Sequence, residues 1–238
     1  MPSSELKSGA RKLMMENAPK LFFVSAFFIV ITTVMSELEY RLPGTSAAYT
    51  RYMERIIDGE PHSVQMLLSF ITPYGTVLAV LLALIRRIVE VGYKSYCLKM
   101  TRSRDGDYKD IFDGFLFFGK AMLILIVTTS LVVFWSMLFF FPGIAAYYRY
   151  RQALYILLDD PEKGVIQCIR ESKLIMHGNK LDLFLLDITF IGWYALSIII
   201  ALLAPLPIMF PIVMIWLAPY FGLTQTAFYT NIVDRLAL

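Results

Sequence analysis

Residues 175–193 read IMHGNKLDLFLLDITFIGW. They begin as the end of a polar, amphipathic segment and turn at His177-Gly178-Asn179. They then run into a long apolar helix that carries two carboxylates, Asp182 and Asp187. Asp187 lies about two turns past the junction, roughly 10 Å into the span at about 1.5 Å per residue. Insertion scales charge about 2.5–3.5 kcal/mol for an Asp at a helix centre. A carboxylate at that depth faces the bundle and needs a partner. Arg149, Arg151, Lys120 and Lys180 are the candidate cations. Asp182 sits closer to the interface, at the positive end of the helix dipole, where an anion is favoured.

Composition carries the same message outward. Of 238 residues, 58% are hydrophobic and only 17% are charged, against about 25% charged in ordinary soluble domains. Mean hydropathy is +0.62. Several runs approach the roughly 20 apolar residues that cross a ~30 Å hydrocarbon core. One of them, Ala121 to Phe141, is apolar on every face of a helix, which argues against a soluble helical bundle. The fold class is therefore all-α, a polytopic membrane protein of one transmembrane domain spanning residues 1–238. A net charge of +3 gives no reason to expect nucleic acid.

Six spans are expected: Leu21 to about Met35, Val64 to Ile85, Gly119 to Phe141, Ile144 to Leu158, Leu181 to Leu203, and Ile208 to Val233. The fourth is short for a full crossing. Pro142-Gly143 is expected to turn the third into it. Residues 3–18 read as an amphipathic helix with Leu6, Ala10, Leu13 and Met14 on one face and Lys7, Arg11 and Lys12 beside them. Such a helix lies in the interface. A similar helix is expected in SAAYTRYMERIID, from Ser46, and a third over 161–177, with Pro161 at its start and Gly178 at its end.

Lys and Arg set the orientation. Residues 1–20 carry four, 86–120 eight and 149–180 six, and Arg235 ends the tail. The opposite side carries only Arg41, Arg51 and Arg55. Both termini are expected in the cytoplasm of a plasma membrane. The first apolar run reads as a retained span rather than a cleaved leader.

Three times an amphipathic segment leads through a basic residue into a span: at Pro19-Lys20, Gly119-Lys120 and Asn179-Lys180. The even spans share a tyrosine near their inner ends, Tyr96, Tyr155 and Tyr229. Three repeats are expected, near 1–102, 103–160 and 161–238, each an interfacial helix followed by a hairpin. Repeats of this kind often share a site at their interface. Snorkelling Lys and belt Tyr also produce such boundaries without any repeat.

The chain shows no P-loop, no G-x-S-x-G and no H-E-x-x-H. His62 and His177 fall on opposite sides of the membrane, so no shared metal is expected. Cys97 and Cys168, both on the cytoplasmic side, lack partners at ligand spacing and are not expected to form a disulfide. No catalytic residue and no cofactor is expected. Asp187, Arg149, Arg151, Lys120, Lys180, Tyr155 and Gln225 are the candidate groups for a ligand or lipid. The arginines and their neighbouring tyrosines can hold lipid phosphate or act as ordinary positive-inside and aromatic-belt anchors. Gln225 can line a polar path or hydrogen-bond across helices.

One pattern runs through Pro142-Gly143-Ile144, Tyr155, Leu157-Leu158, Asp160-Pro161 and Glu171-Ser172. It continues through Met176, Gly178, Lys180, Leu183-Phe184, Leu186-Asp187 and Phe190-Ile191-Gly192-Trp193, then Ala218-Pro219-Tyr220 and Ala227-Phe228-Tyr229. It resembles a bacterial integral membrane family, domain of unknown function 975, over residues 142–232. Gly178-Asn179-Lys180 is a mild departure from that family's junction. The pattern is also similar to the membrane domain that accompanies some glycerophosphodiester phosphodiesterases, whose activity that region does not itself imply. The resemblance implies a bacterial plasma membrane and six spans, and implies no mechanism.

Three functions are compatible with these features. One is a non-enzymatic protein that binds membrane lipid or an amphipathic ligand, in envelope homeostasis or protection from membrane-active peptides. Another is a small secondary transporter or export subunit with Asp187 as coupling carboxylate. The third is a structural partner of another membrane protein or of further copies of itself.

Overall fold

A computed structural model describes residues 3–42, 46–59, 73–103, 105–203 and 209–236. The described residues are helical, with no strand among them. In chain order the helices are α1 (Ser3–Glu16), α2 (Ala18–Arg41), α3 (Ser46–Ile57) and α4 (Pro73–Ser103). A 3-10 turn (Tyr108–Phe112) and the short α5 (Asp113–Leu116) come next. The remainder is α6 (Phe118–Leu138), α7 (Phe140–Tyr150), α8 (Ala153–Asp159), α9 (Val165–Ile175), α10 (Lys180–Leu203) and α11 (Met209–Leu236). The expected second span falls partly outside the described residues, as does the turn after α10.

Among the described residues, three helices are long and apolar enough to cross a membrane: α2, α6 and α10. Their outward faces are apolar, as a membrane-spanning helix requires. Phe23, Val30 and Val34 on α2, Ile126 and Phe134 on α6, and Leu185, Ile191 and Ile199 on α10 are all exposed. Apolar area of that extent has no place in water, and lipid is the solvent that accepts it.

α1 departs from the sequence expectation. Its stripe Leu6, Ala10, Met14 is buried on protein rather than laid onto headgroups. Leu6 joins the core of Met176, Leu183, Leu186, Phe190, Leu217, Phe228 and Ile232, and Lys7 Nζ sits 4.7 Å from the Phe190 ring centre. Packing against α11 and α10 removes the stripe from water as completely as lipid would, and Arg11 and Lys12 remain outside.

The segment 108–116 is clipped across α4. Asp107 caps the turn, and the Asp110 carboxylate accepts from the Asp107 backbone N–H at 2.8 Å. Lys99 Nζ reaches both Asp110 and Asp113 at 2.7 Å, while Ser95 Oγ donates to Asp113 at 2.7 Å. Gly92 and Gly114 make the approach possible, because a Cβ at either would enter the backbone of Ile111 or Ile88.

The turn from the third expected span into the fourth is made one turn earlier than Pro142-Gly143. Phe139 is extended (φ −158°, ψ 148°), and Phe140 starts α7. Pro142 then occupies the first turn of α7, where its missing N–H costs nothing. Gly143 lets α7 lie against α6, where a side chain would strike Ser136. The fourth element is not one helix. It pauses at Arg151-Gln152 between α7 and α8. The third amphipathic helix likewise starts later than Pro161, at Val165 with Gly164 as its cap. It is followed by Gly178 at φ +87°, a left-handed conformation that glycine adopts without Cβ strain.

Candidate functional site

Asp187 faces the bundle and is held by three donors. The Arg151 guanidinium forms a close ion pair with Oδ2. Tyr148 Oη donates to the same oxygen at 3.1 Å. Gln225 Nε2 donates to Oδ1 at 2.7 Å. Three helices, α7, α10 and α11, with the residue just after α7, thus converge on one carboxylate. Charge-assisted hydrogen bonds are the strong class, and a charge taken out of water needs them.

The arginine is itself seated on aromatics. Its guanidinium carbon lies 5.4 Å from the Tyr147 ring centre and 5.9 Å from that of Tyr148. Such cation–π contacts add attraction that strengthens away from water. Tyr148 is fixed edge-on to Phe184, centroids 5.7 Å apart and planes at 88°. Its hydroxyl is therefore aimed, not loose.

A groove opens beside this centre. It has a volume of about 360 Å³ and is lined by Val132, Ser136, Phe140, Gly143, Ile144, Tyr147, Tyr148 and Phe184. Its walls come from α6, α7 and α10, and its lining is mainly apolar. Tyr147 and Tyr148 belong both to the groove and to the arginine's aromatic seat.

The other sequence candidates lie elsewhere. Lys120 Nζ donates to the Pro161 carbonyl at 2.6 Å and tethers α6 to the start of the α8–α9 connection. Lys180 opens α10, half-buried, and joins no ion pair among the described residues. Arg149 is half-buried, and its backbone carbonyl accepts from Ser172 Oγ at 2.9 Å. Tyr155 is buried and stacks on Tyr229, centroids 5.5 Å apart and planes 22° apart. Among the described residues no cluster of His, Cys, Asp or Glu could hold a metal ion.

The structure thus brings together Asp187, Arg151 and Gln225, adds Tyr148, and leaves Arg149, Lys120, Lys180 and Tyr155 outside direct contact with the carboxylate. Tyr148 was legible in retrospect. It stands three residues before Arg151, one helical turn away on the same face.

Residues 140–236 match the family described as a protein of unknown function, DUF975. Every group of the Asp187 centre lies inside the DUF975 match, and residues 1–139 lie outside it. The match supports the family resemblance read from the sequence. The likeness to the membrane domain of glycerophosphodiester phosphodiesterases rests on the sequence pattern alone. No curated protein and no solved structure matches the chain.

Proposed function

We propose that this chain is a non-enzymatic integral membrane protein that binds a membrane lipid or similar amphipath, with the apolar tail in the α6–α7–α10 groove. The observation that carries this reading is the shared wall: Tyr147 and Tyr148 line the groove and also seat Arg151. A tail in the groove therefore ends beside a polar centre. The Arg151–Asp187 pair is neutral as a unit, and the half-buried Arg149, next to Tyr148 in sequence, is the cation that would add a positive charge near that end. This suits an anionic headgroup at the inner leaflet.

The topology that goes with this reading has six spans, both termini in the cytoplasm and a plasma membrane outside. It is supported by the asymmetry of Lys and Arg and by α2, α6 and α10, each long and apolar enough to cross. Each of these three helices follows a short helical segment, α1, 108–116 or α9. That order supports three repeats. The transporter reading loses weight, because a coupling carboxylate must exchange its ligand and Asp187 is committed to three donors of its own chain.

Native mass spectrometry of the protein released gently from membranes tests the proposal. The wild type should retain an adduct of lipid mass. Ile144→Trp, which fills the groove, and Arg149→Gln, which removes a cation without breaking the Asp187 pair, should each reduce it. Equal retention in all three proteins would contradict the reading.

A further inference from the structure

Along α7 and α8 the polar residues fall on one stripe. Tyr148, Arg151, Gln152, Tyr155 and Asp159 are separated by three, one, three and four residues. The backbone stays right-handed through the pause, with Arg151 at φ −61°, ψ −29° and Gln152 at φ −84°, ψ −10°, so the stripe holds its face.

Long side chains connect α11 to that stripe at three levels. At the Asp187 level, Tyr148 and Gln225 bond the same carboxylate. Two turns further on, Tyr155 stacks on Tyr229. At the end, Tyr229 Oη donates to Asp159 at 3.1 Å, and Arg102 pairs with Asp159 at 2.5 Å. The level rises from 148 to 159 along α7 and α8 and from 225 to 229 along α11, so the two run the same way. Gln152 and Gln225 each stand one turn before their tyrosine of the stacked pair.

Among the described residues, the ladder's buried side-chain atoms without a hydrogen-bond partner belong to Gln152 and Gln225. Gln152 is 0% exposed, and neither its Oε1 nor its Nε2 has a hydrogen-bond partner among the described residues. Gln225 is 2% exposed and uses only its amide nitrogen, its Oε1 being unpartnered. A buried amide without partners costs free energy on the scale of a lost hydrogen bond at each atom. Turning Gln152 onto Gln225 would satisfy one pair and still leave the Gln152 carbonyl oxygen bare. The unmet set contains both a donor and acceptors. A cation answers only the acceptors and an anion only the donor, whereas water answers both.

We infer that Gln152 and Gln225 form an internal water site on the polar stripe that runs from Asp187 to the Asp159–Arg102 pair at the rim. The site is independent of the groove, which opens between α6, α7 and α10.

X-ray radiolysis of the full chain in H2(18)O tests it, because hydroxyl radicals made from an internal water mark the side chains beside it. Tyr155 and Tyr229 should take up 18-oxygen despite their burial. Phe190, also buried but in an apolar core, should not. In Gln152→Leu the Tyr155 signal should fall to that of Phe190. The inference is overturned if wild-type Tyr155 and Tyr229 are marked no more than Phe190, or if Gln152→Leu leaves their marking unchanged. Should leucine disturb packing, seen as a rise at Phe190, Gln152→Met, closer in shape, is judged by the same criterion.

Discussion

Two helix junctions in this bundle solve the same problem with different chemistry. Where α2 crosses α4, Ser25 Oγ and Tyr93 Oη share a hydrogen bond of 2.9 Å, and Phe28 stacks on Tyr93 with centroids 4.2 Å apart and planes 7° apart. Both polar partners are buried and neutral. Where α7, α10 and α11 meet, the fastening is the Asp187 carboxylate under a guanidinium, a phenol and an amide. The first junction is closed and packed with Leu21, Val24, Val89 and Leu223. The second abuts a groove. Neutral pairs suffice for holding helices together in an apolar medium. The ionic centre exceeds that need, and its place beside an opening is the reason to read it as more than a fastener.

The largest expected effect follows from breaking only one side of the ionic junction. Arg151→Leu strands the Asp187 charge and should cost about 3–5 kcal/mol, the range for a buried pair that loses one partner. Adding Asp187→Leu should recover most of that loss. Equilibrium unfolding in bicelles, with the double variant closing the cycle, measures both. A double variant as unstable as the single one would make the two junctions alike.

The neutral junction should respond far less. Ser25→Ala removes one hydroxyl from a neutral pair and should cost about 0.5–1.5 kcal/mol, read in the same unfolding assay. A loss equal to that of Arg151→Leu would remove the distinction between neutral and ionic fastening.

The smallest effect lies outside the spans, at the clamp on α9. Lys163 Nζ lies 2.8 Å from Glu171, and Gln167 donates to the same carboxylate at 2.9 Å. Burial alone would raise the Glu171 pKa. The hydrogen bonds from Lys163 and Gln167 outweigh it and hold the pKa below its ordinary value. The hydrogen bond to Glu171 in turn raises Lys163, against a smaller opposing effect of burial. The depressed carboxylate stabilises the fold fully above an unfolded pKa of about 4.3 and ceases to as pH falls through its folded value. The raised ammonium does so fully below about 10.4 and ceases to as pH rises through its folded value. Stability against pH should therefore fall slightly at both ends, and Lys163→Met should flatten both slopes.

The sequence made Asp187 legible because a carboxylate in an apolar span has few ways to exist. Arg151 followed as one of four cations within reach, and Gln225 as a polar side chain in a facing span. Tyr148 was not singled out, because an inner-leaflet tyrosine is ordinarily a belt residue, and only the rotation of α7 decides where its hydroxyl points. Gln152 was invisible for a related reason: its burial depends on α8 lying among α4, α6 and α9. The break at Phe139 was misplaced because Pro142-Gly143 is a turn signature in most contexts, yet proline in a first helical turn is equally content. The amphipathic pattern of α1 was read correctly as a stripe. Periodicity alone does not say whether lipid headgroups or α11 will cover it.

The central claim is that the α6–α7–α10 groove receives an apolar tail beside Arg151. Photo-crosslinking with a phospholipid bearing a diazirine in its acyl chain, mapped by peptide mass spectrometry, tests it most directly. The account predicts crosslinks concentrated on Val132, Ile144, Tyr147 and Phe184, and lost from them in Ile144→Trp. Crosslinks spread evenly over exposed faces such as Phe23, Ile126 and Ile199, with none enriched in the groove, would contradict it.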